Sequence, residues 1–379
     1  METMDFTNYL TAIEKEIDSV VPLVSTPGLE QGKWTELSFG KKAGEKSALD
    51  CLAPSHVAPL LEPTRNLVDL GGKRWRPLLL VLCAQAQAFH DKKDVSLIEA
   101  QAYHISPLVE CIHTASLIHD DIEDSSDMRR GKPAAYITYG LDTALNAGSW
   151  LYFQAPTCID SLDADGGTKL RLYSLYAKET RRLHLGQAMD IAWHRDISCV
   201  PGTEEYLAMV QCKTGTLASL AAKAGTSLAT GDMQAVTKAG EIAAKIGAGF
   251  QIIDDVINLT FGNPGKRRGD DIVEGKKSLP VLLFLHKKGS GSDDANLLRE
   301  CFAKARDAGS VEADPQSVEK AISLLTDAGA VDEAKQKGRN LIEEGCEDFV
   351  RLYGTSEYSE RITALFDAMI PKNLFGKGL

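Results

Sequence analysis

An all-α fold follows from three features of the sequence. Alanine, leucine and the charged helix formers dominate nearly every segment. Apolar residues recur at spacings of three and four, as in Leu108, Ile112 and Ala115, and again in Ile242, Ile246, Phe250 and Ile253. Runs of period-2 alternation, which would mark half-buried strands, are scarce.

The elements follow in order. A first helix lies within Met1 to Val21, where acids and lysines alternate and no signal-peptide core is present. Residues 22–50 are polar and carry Pro27, Gly28, Gly32, Gly40 and Gly44, so they read as a loose loop. Helical pattern then continues, with breaks at 156–167, 261–271 and 288–294. From 295 onward the chain is helical without a chemical constellation. The expected organisation is a helix and loose loop over 1–50, then a single all-helical domain over 51–379 whose motif-bearing core spans 60–285.

Composition narrows the function classes. The 379 residues hold 42 Lys+Arg against 53 Asp+Glu, a formal charge of −11, and 25% charged with 44% hydrophobic residues is ordinary for a globular chain. An acidic balance disfavours nucleic-acid partners, which need clustered cations. No apolar run approaches the ~18–20 residues that cross a bilayer. Eight cysteines without a Cys-x-x-Cys pair suit reduced thiols and a cytoplasmic setting, excluding a zinc ribbon and a disulfide scaffold.

The densest chemical feature is His119-Asp120-Asp121-Ile122-Glu123-Asp124. Like charges at this spacing repel along a helix. Asp120 and Asp124 project about 40° apart, so a hard divalent cation such as Mg²⁺ would offset the repulsion while keeping water and phosphate oxygens in its shell. A solvated acidic helix end is the alternative for the motif alone. Arg129-Arg130-Gly131 follows five residues later, and adjacent guanidinium forks suit a diphosphate. A second acidic pair, Asp254-Asp255, ends an apolar helical run, where charge is costly unless something binds it, and Asn258 repeats the four-residue spacing. Two such clusters facing each other across a helical cavity would hold a set of Mg²⁺ ions around one diphosphate. The loop Gly71-Gly72-Lys73-Arg74-Trp75-Arg76-Pro77 offers backbone N–H groups and three cations to a second, metal-free diphosphate. Lys213-Thr214-Gly215 and Gly275-Lys276-Lys277-Ser278 add cations that, taken singly, also fit ordinary surface.

In combination, GGKRWRP, CIHTASLIHDDIEDSSDMRRGKP, KTG, GAGFQIIDDVIN and GDDIVEGKKSLP resemble the trans-prenyl diphosphate synthases, over about residues 60 to 285. The resemblance is nearest to geranylgeranyl-type members and implies an isoprenoid-synthase helical bundle around a central cavity, usually a homodimer. It implies Mg²⁺, two or three ions per site, held by Asp120, Asp121, Asp124 and Asp254, with Asp255, Lys213 and Thr214 among the catalytic residues. It places Lys73, Arg76, His113 and Arg130 on isopentenyl diphosphate. It places Arg129, Lys213, Thr214, Gln251, Lys266 and Lys276 around the allylic diphosphate. Asn258 departs from the family's more common third aspartate; geranylgeranyl-type members with DDxxN also exist.

These residues suit ionisation of an allylic diphosphate, attack on the cation by the double bond of isopentenyl diphosphate, and proton loss to the departing diphosphate. His113 lies about 20° from Asp120 on the helical wheel, two turns earlier. A tail anchored at Asp120 and Asp124 would run back past Ser116 and Ala115 toward Ile112, with Trp150 or Phe153 as further floor. Shorter-chain family members often carry an aromatic ring at the position of Ala115, so small residues at 115 and 116 point to a C20 product, with longer chains as the runner-up. The competing readings are a class I terpene synthase, which needs no second diphosphate site; a head-to-head synthase of the squalene type, which usually lacks the basic loop and KTG; and a non-catalytic modulating subunit.

Overall fold

The computed structural model describes residues 4–24, 53–196, 198–262, 268–307, 315–370 and Leu374. The expected loop over 22–50 lies outside these residues from position 25 onward, as do residues 263–267 of the 261–271 break. The helices are α1 Thr7–Val20, α2 Pro54–Asp69, α3 Trp75–His90, α4 Val95–Ile105, α5 Pro107–Glu123, α6 Ala135–Tyr139, α7 Leu141–Gln154, α8 Thr157–Asp160, α9 Gly166–Arg195, α10 Thr203–Val210, α11 Thr216–Ala229, α12 Met233–Thr260, α13 Asp270–Glu274, α14 Leu279–Lys288, α15 Asp293–Asp307, α16 Pro315–Asp327, α17 Ala330–Tyr353 and α18 Glu357–Met369. The expected all-α class is found. The scarcity of alternation concealed one exception, a hairpin of β1 Met128–Arg129 and β2 Lys132–Pro133. Its two-residue turn, Arg130-Gly131, has positive φ at both positions, 52° and 76°, the geometry that matches strand twist in the shortest hairpins. No helix among the described residues is long and apolar enough to cross a membrane.

The chain divides into two compact units. The first comprises Met1–Ala177, Leu220–Thr237 and Tyr353–Met369. At its centre lies α3, apolar all round and buried at Trp75 and at every position from Leu78 to Ala88. Trp75 meets Phe366 of α18 edge to face, ring centres 6.1 Å apart. The backbone of α11 reaches α3 at Gly225, where a Cβ would lie 2.1 Å from the Leu80 carbonyl oxygen. Helix α1 buries Ile13, Ile17 and Val20 within this unit, so the N-terminal helix is part of its core. Asp94 caps α4 by accepting from the Ser96 and Leu97 amides, and Pro107 opens α5 where its missing N–H costs nothing.

The second unit comprises Lys178–Ser219, Lys238–Leu352 and Ile370–Leu379. Helices α12 and α17 cross at glycines: a Cβ on Gly249 would lie 2.7 Å from the Gly338 carbonyl oxygen, and one on Gly345 would strike Ile246. Between α10 and α11 the helix widens into a π-turn, Gln211–Gly215. Gly186 of α9 and Gly247 of α12 let backbone close on that turn, since a Cβ on Gly186 would sit 2.2 Å from the Lys213 nitrogen and one on Gly247 2.8 Å from the Gly215 Cα. Such π-turns often mark functional segments, and this one contains the KTG element.

Candidate active site

In the first unit, the half-buried positions of α5 include four polar residues of its second half together with Leu117, His119, Ile122 and Glu123. His113, Ser116, Asp120 and Asp124 are half-buried, whereas Ile112 and Ala115 are fully buried in helix packing. The spacing of three and four keeps those four residues on one face. Asp121 points inward and is 1% exposed. It is neutralised by Arg129, whose Nε donates to Asp121 Oδ1 at 2.7 Å and whose second nitrogen pairs with both Asp121 and, at 3.4 Å, Asp120. Burial alone would push this guanidinium down, but Asp121 outweighs it and holds Arg129 protonated. The carboxylate repulsion expected from the sequence is thus already part-compensated by Arg129.

The hairpin separates the two adjacent arginines. Arg129 faces the aspartates, while Arg130, in the left-handed turn, lies against the basic loop: a Cβ on Gly72 would come within 3.1 Å of its guanidinium. Arg76 donates toward His113 Nε2 at 3.3 Å and stacks over Trp75 at 4.5 Å. Its own Nε is buried with no hydrogen-bond partner. Burial, with Arg130 close by, pushes Arg76 down to about 10. Arg76, His113 and Arg130 therefore form a crowded, desolvated basic pocket to which an arriving polyanion is complementary.

Not every cation of the loop belongs to it. Of the three read as anion grips, Arg74 is 5% exposed and committed to structure: it donates to Glu110 at 2.7 Å, to Glu14 at 2.7 Å and to the Val68 carbonyl at 2.7 Å. Lys73 is exposed on the loop. Glu110 Oε1 also lies 3.5 Å from His113 Nδ1. Because Arg76 is a donor, Nε2 must accept and Nδ1 carries the proton. Burial, reinforced by Arg76, pushes His113 down to about 4. Burial alone would push Glu110 up, but the hydrogen bond and charge of His113, with Arg74 and Arg76 beside it, hold it down at about 2.

The lowered value of His113 has a consequence for stability. The unfolded chain binds the imidazole proton near pH 6.5 and the folded chain only near 4. Its effect is therefore absent above pH 6.5, and stability is lost as pH falls from there toward 4, by up to about 1.4 kcal/mol per unit. We expect His113→Gln to flatten the wild-type fall in thermal midpoint across this window. Parallel curves for the two proteins would contradict the assignment.

In the second unit the π-turn presents Lys213 and Thr214. Lys213 Nζ donates to Asp190 Oδ2 at 2.6 Å, and Thr214 donates to Gln251 Oε1 at 2.8 Å. Gln251 Nε2 donates to Asp255 Oδ1 at 2.9 Å, and the Tyr206 hydroxyl to Asp255 Oδ2 at 2.8 Å. The adjacent aspartates differ: Asp254 is exposed, whereas Asp255 is 6% exposed, and burial, with Asp271 nearby, pushes it up against the hydrogen bonds from Gln251 and Tyr206 that favour its charged form. Lys276 Nζ lies 2.5 Å from Glu274 and 3.7 Å from Asp271. Asn258 does not share the open face of Asp254 as its spacing suggested. It is fully buried and receives the loop before α13, its carbonyl accepting from Gly269 at 3.0 Å and its Oδ1 from the Asp271 amide at 3.4 Å. Lys266 lies outside the described residues.

Four participants escaped the sequence reading. They are Glu110, Asp190, Tyr206 and Asp271, the last of which lies inside the GDDIVEGKKSLP motif without a role assigned to it. Among the described residues no three His, Cys, Asp or Glu side chains converge on one metal position. In the first unit Asp120 and Asp124 are half-buried, and in the second unit Asp254 is exposed. Mg²⁺ binds through one or two carboxylates plus water and substrate phosphate rather than in an all-protein cage, so the half-buried pair Asp120 and Asp124 has the chemistry to take it.

This chemistry agrees with known proteins. Residues 57–322 match the family model described as polyprenyl synthetase. The chain is 33% identical over 304 residues to the geranylgeranyl diphosphate synthase of Methanosarcina mazei, covering 79% of this chain and 86% of that one. It is 32% identical over 298 residues to the geranylfarnesyl diphosphate synthase of Natronomonas pharaonis, covering 76% and 83%. The crystal structure of geranylgeranyl pyrophosphate synthetase from Pyrococcus horikoshii Ot3 superposes with a TM-score of 0.75 at 26% identity, covering 95% of this chain and 94% of that chain. The chain belongs to the polyprenyl synthetase family and is a prenyl diphosphate synthase, an enzyme that elongates prenyl chains.

Proposed function

We propose that this enzyme joins isopentenyl diphosphate head to tail to an allylic diphosphate, releasing diphosphate, with a C20 main product. One observation carries the reading. A single helix, α5, carries half-buried carboxylates at Asp120 and Asp124, which suit a metal-bound diphosphate, and His113 of the basic pocket, which suits a metal-free one, with His113 two turns or about 10 Å from Asp120. A terpene synthase needs only the first. Asn258 argues against a modulating subunit that has lost its motif, because its buried side chain supports a loop.

Asp120, Asp124 and Asp254 would hold Mg²⁺, two or three ions, with Asp121 securing Arg129 beside them. The metal, when bound, supplies charge stabilisation to the departing diphosphate. Arg129, Lys213 and Lys276 add to that stabilisation. Lys73, Arg76, His113 and Arg130 hold isopentenyl diphosphate apart from the acidic face, so that only the allylic partner ionises. The departing diphosphate takes the final proton. Incubating the purified chain with Mg²⁺, isopentenyl diphosphate and farnesyl diphosphate should yield a longer prenyl diphosphate by mass spectrometry. No product would leave the modulating-subunit reading, and a hydrocarbon formed without isopentenyl diphosphate the terpene-synthase one.

The product length rests on Ser116, the first residue below Asp120 on the half-buried stripe. Ala115 and Ile112 are sealed in packing, and Phe153 is 76% exposed, so it forms no interior floor as the sequence reading allowed. Ser116→Phe should close the path about one turn, ~5.4 Å, below Asp120 and shift the main product to C15. An unchanged distribution would place the tail elsewhere. A homodimer in the cytoplasm completes the proposal. It is supported by the exposed apolar stripe Leu141, Leu145 and Phe153 on α7 and by the free thiols of the described cysteines. The solution mass of the same preparation tests the dimer.

A further inference from the structure

Tyr206, Asp255, Gln251 and Thr214 form one line of hydrogen bonds whose direction is set from its buried end. Asp255 accepts at both oxygens, from the Tyr206 hydroxyl at 2.8 Å and the Gln251 NH₂ at 2.9 Å. A carboxamide has one donating and one accepting end. With its NH₂ committed to Asp255, Gln251 must turn Oε1 toward Thr214, and Thr214 commits its single hydroxyl proton there at 2.8 Å. Every other direction around the Thr214 oxygen then presents lone pairs.

We propose that Asp255 and Tyr206 are positioning residues that fix the orientation of the Gln251 amide and, through it, the direction of the Thr214 hydroxyl. The proposal rests on the prenyl-transfer reading above. In that reaction positive charge develops on an allylic carbon beside a departing diphosphate. An oxygen with its proton turned away stabilises that charge, while a flipped amide would turn the proton outward and oppose it. Neither positioning residue needs to touch substrate: Tyr206 is 1% exposed and Asp255 6%, whereas the neighbouring Asp254 is exposed. Adjacent positions on α12 point about 100° apart, which lets one aspartate face outward while the other organises the interior. The π-turn contributes by holding the Thr214 backbone against the glycine faces of α9 and α12, leaving the hydroxyl's hydrogen bond to decide where its lone pairs point.

A charge-neutral swap tests the polarity rather than the packing. In Asp255→Asn, Tyr206 keeps donating to the amide oxygen, so the new NH₂ faces Gln251 and flips it. Combining Asp255→Asn with Gln251→Glu restores the direction: the NH₂ at 255 donates to the carboxylate at 251, whose other oxygen accepts from Thr214. Net charge is unchanged. We expect Asp255→Asn to lower kcat by about 10²-fold, with KM for isopentenyl and farnesyl diphosphate within about threefold, on the scale of one lost electrostatic stabiliser. The double variant should regain at least about tenfold in kcat. Tyr206→Phe keeps the ring and loses only the donor, and should lower kcat by about fivefold without moving KM, which keeps the test open if Asp255→Asn does not fold. A double variant that matches wild type in thermal midpoint yet is no faster than Asp255→Asn would overturn the relay, as would an unchanged kcat in Tyr206→Phe. A wild-type chain that incorporates no isopentenyl diphosphate would overturn the prenyl-transfer reading instead.

Discussion

Asp120→Asn and Asp254→Asn should each lower turnover by at least about 10²-fold while leaving the thermal midpoint within a few degrees of wild type. The expected loss is that of one electrostatic stabiliser of the departing charge. The expected tolerance follows from where the two side chains lie: Asp254 is exposed, and Asp120 is half-buried at the edge of the Arg129 pair, 3.4 Å from its guanidinium. Asp121→Asn should behave differently. Its carboxylate, 1% exposed, is the main partner of Arg129, and removing the charge from a buried pair destabilises the fold by several kcal/mol, about 3–5. The three variants thus separate the carboxylates proposed to bind metal, one from each acidic motif, from the buried partner of Arg129. Steady-state rates with rising Mg²⁺, together with thermal melts, read the difference. Near-normal turnover in both Asp120→Asn and Asp254→Asn would refute the metal assignment.

Glu110→Gln is the second variant with a large expected effect, of about 3–5 kcal/mol on stability. Glu110 is 3% exposed and accepts from Arg74, itself 5% exposed, at 2.7 Å, and it faces His113 at 3.5 Å. Replacing the carboxylate with an amide leaves Arg74 with Glu14 as its one carboxylate and the Val68 carbonyl as its other partner, and removes the negative charge that faces Arg76. The isopentenyl diphosphate KM should rise in the same variant, because Arg76 and His113 lose the group that orders them. Chemical denaturation measures the first effect. A loss below about 1 kcal/mol would mean that water, not Glu110, compensates these cations.

The main elements of the site were legible because helical periodicity projects directly into space. Asp120, Asp124, Ser116 and His113 were expected on one face from their spacing, and they form the half-buried stripe of α5. The two arginines of Arg129-Arg130-Gly131 read alike in the sequence, and their separation was not legible there. A two-residue turn with positive φ sends one to the aspartates and the other to Gly72. Local sequence shows neither destination.

Sequence alone determined the all-α class, the acidic and basic motifs and the family, because composition, periodicity and motif spacing are local properties of the chain. Tertiary structure decided which member of each motif does what. Arg74 and Arg76 read alike, yet Glu14 and Glu110 draw the first into structure and leave the second in the basic pocket. Asp254 and Asp255 read alike, yet Tyr206 and Gln251 claim only the second. Asn258 reads as an altered metal motif, and its burial makes it the seat of the loop before α13. In each pair the deciding partner is brought up by packing, and the physical reason is the same throughout. A charge inside a protein must be compensated at hydrogen-bond distance, and only the folded chain determines which group stands at that distance.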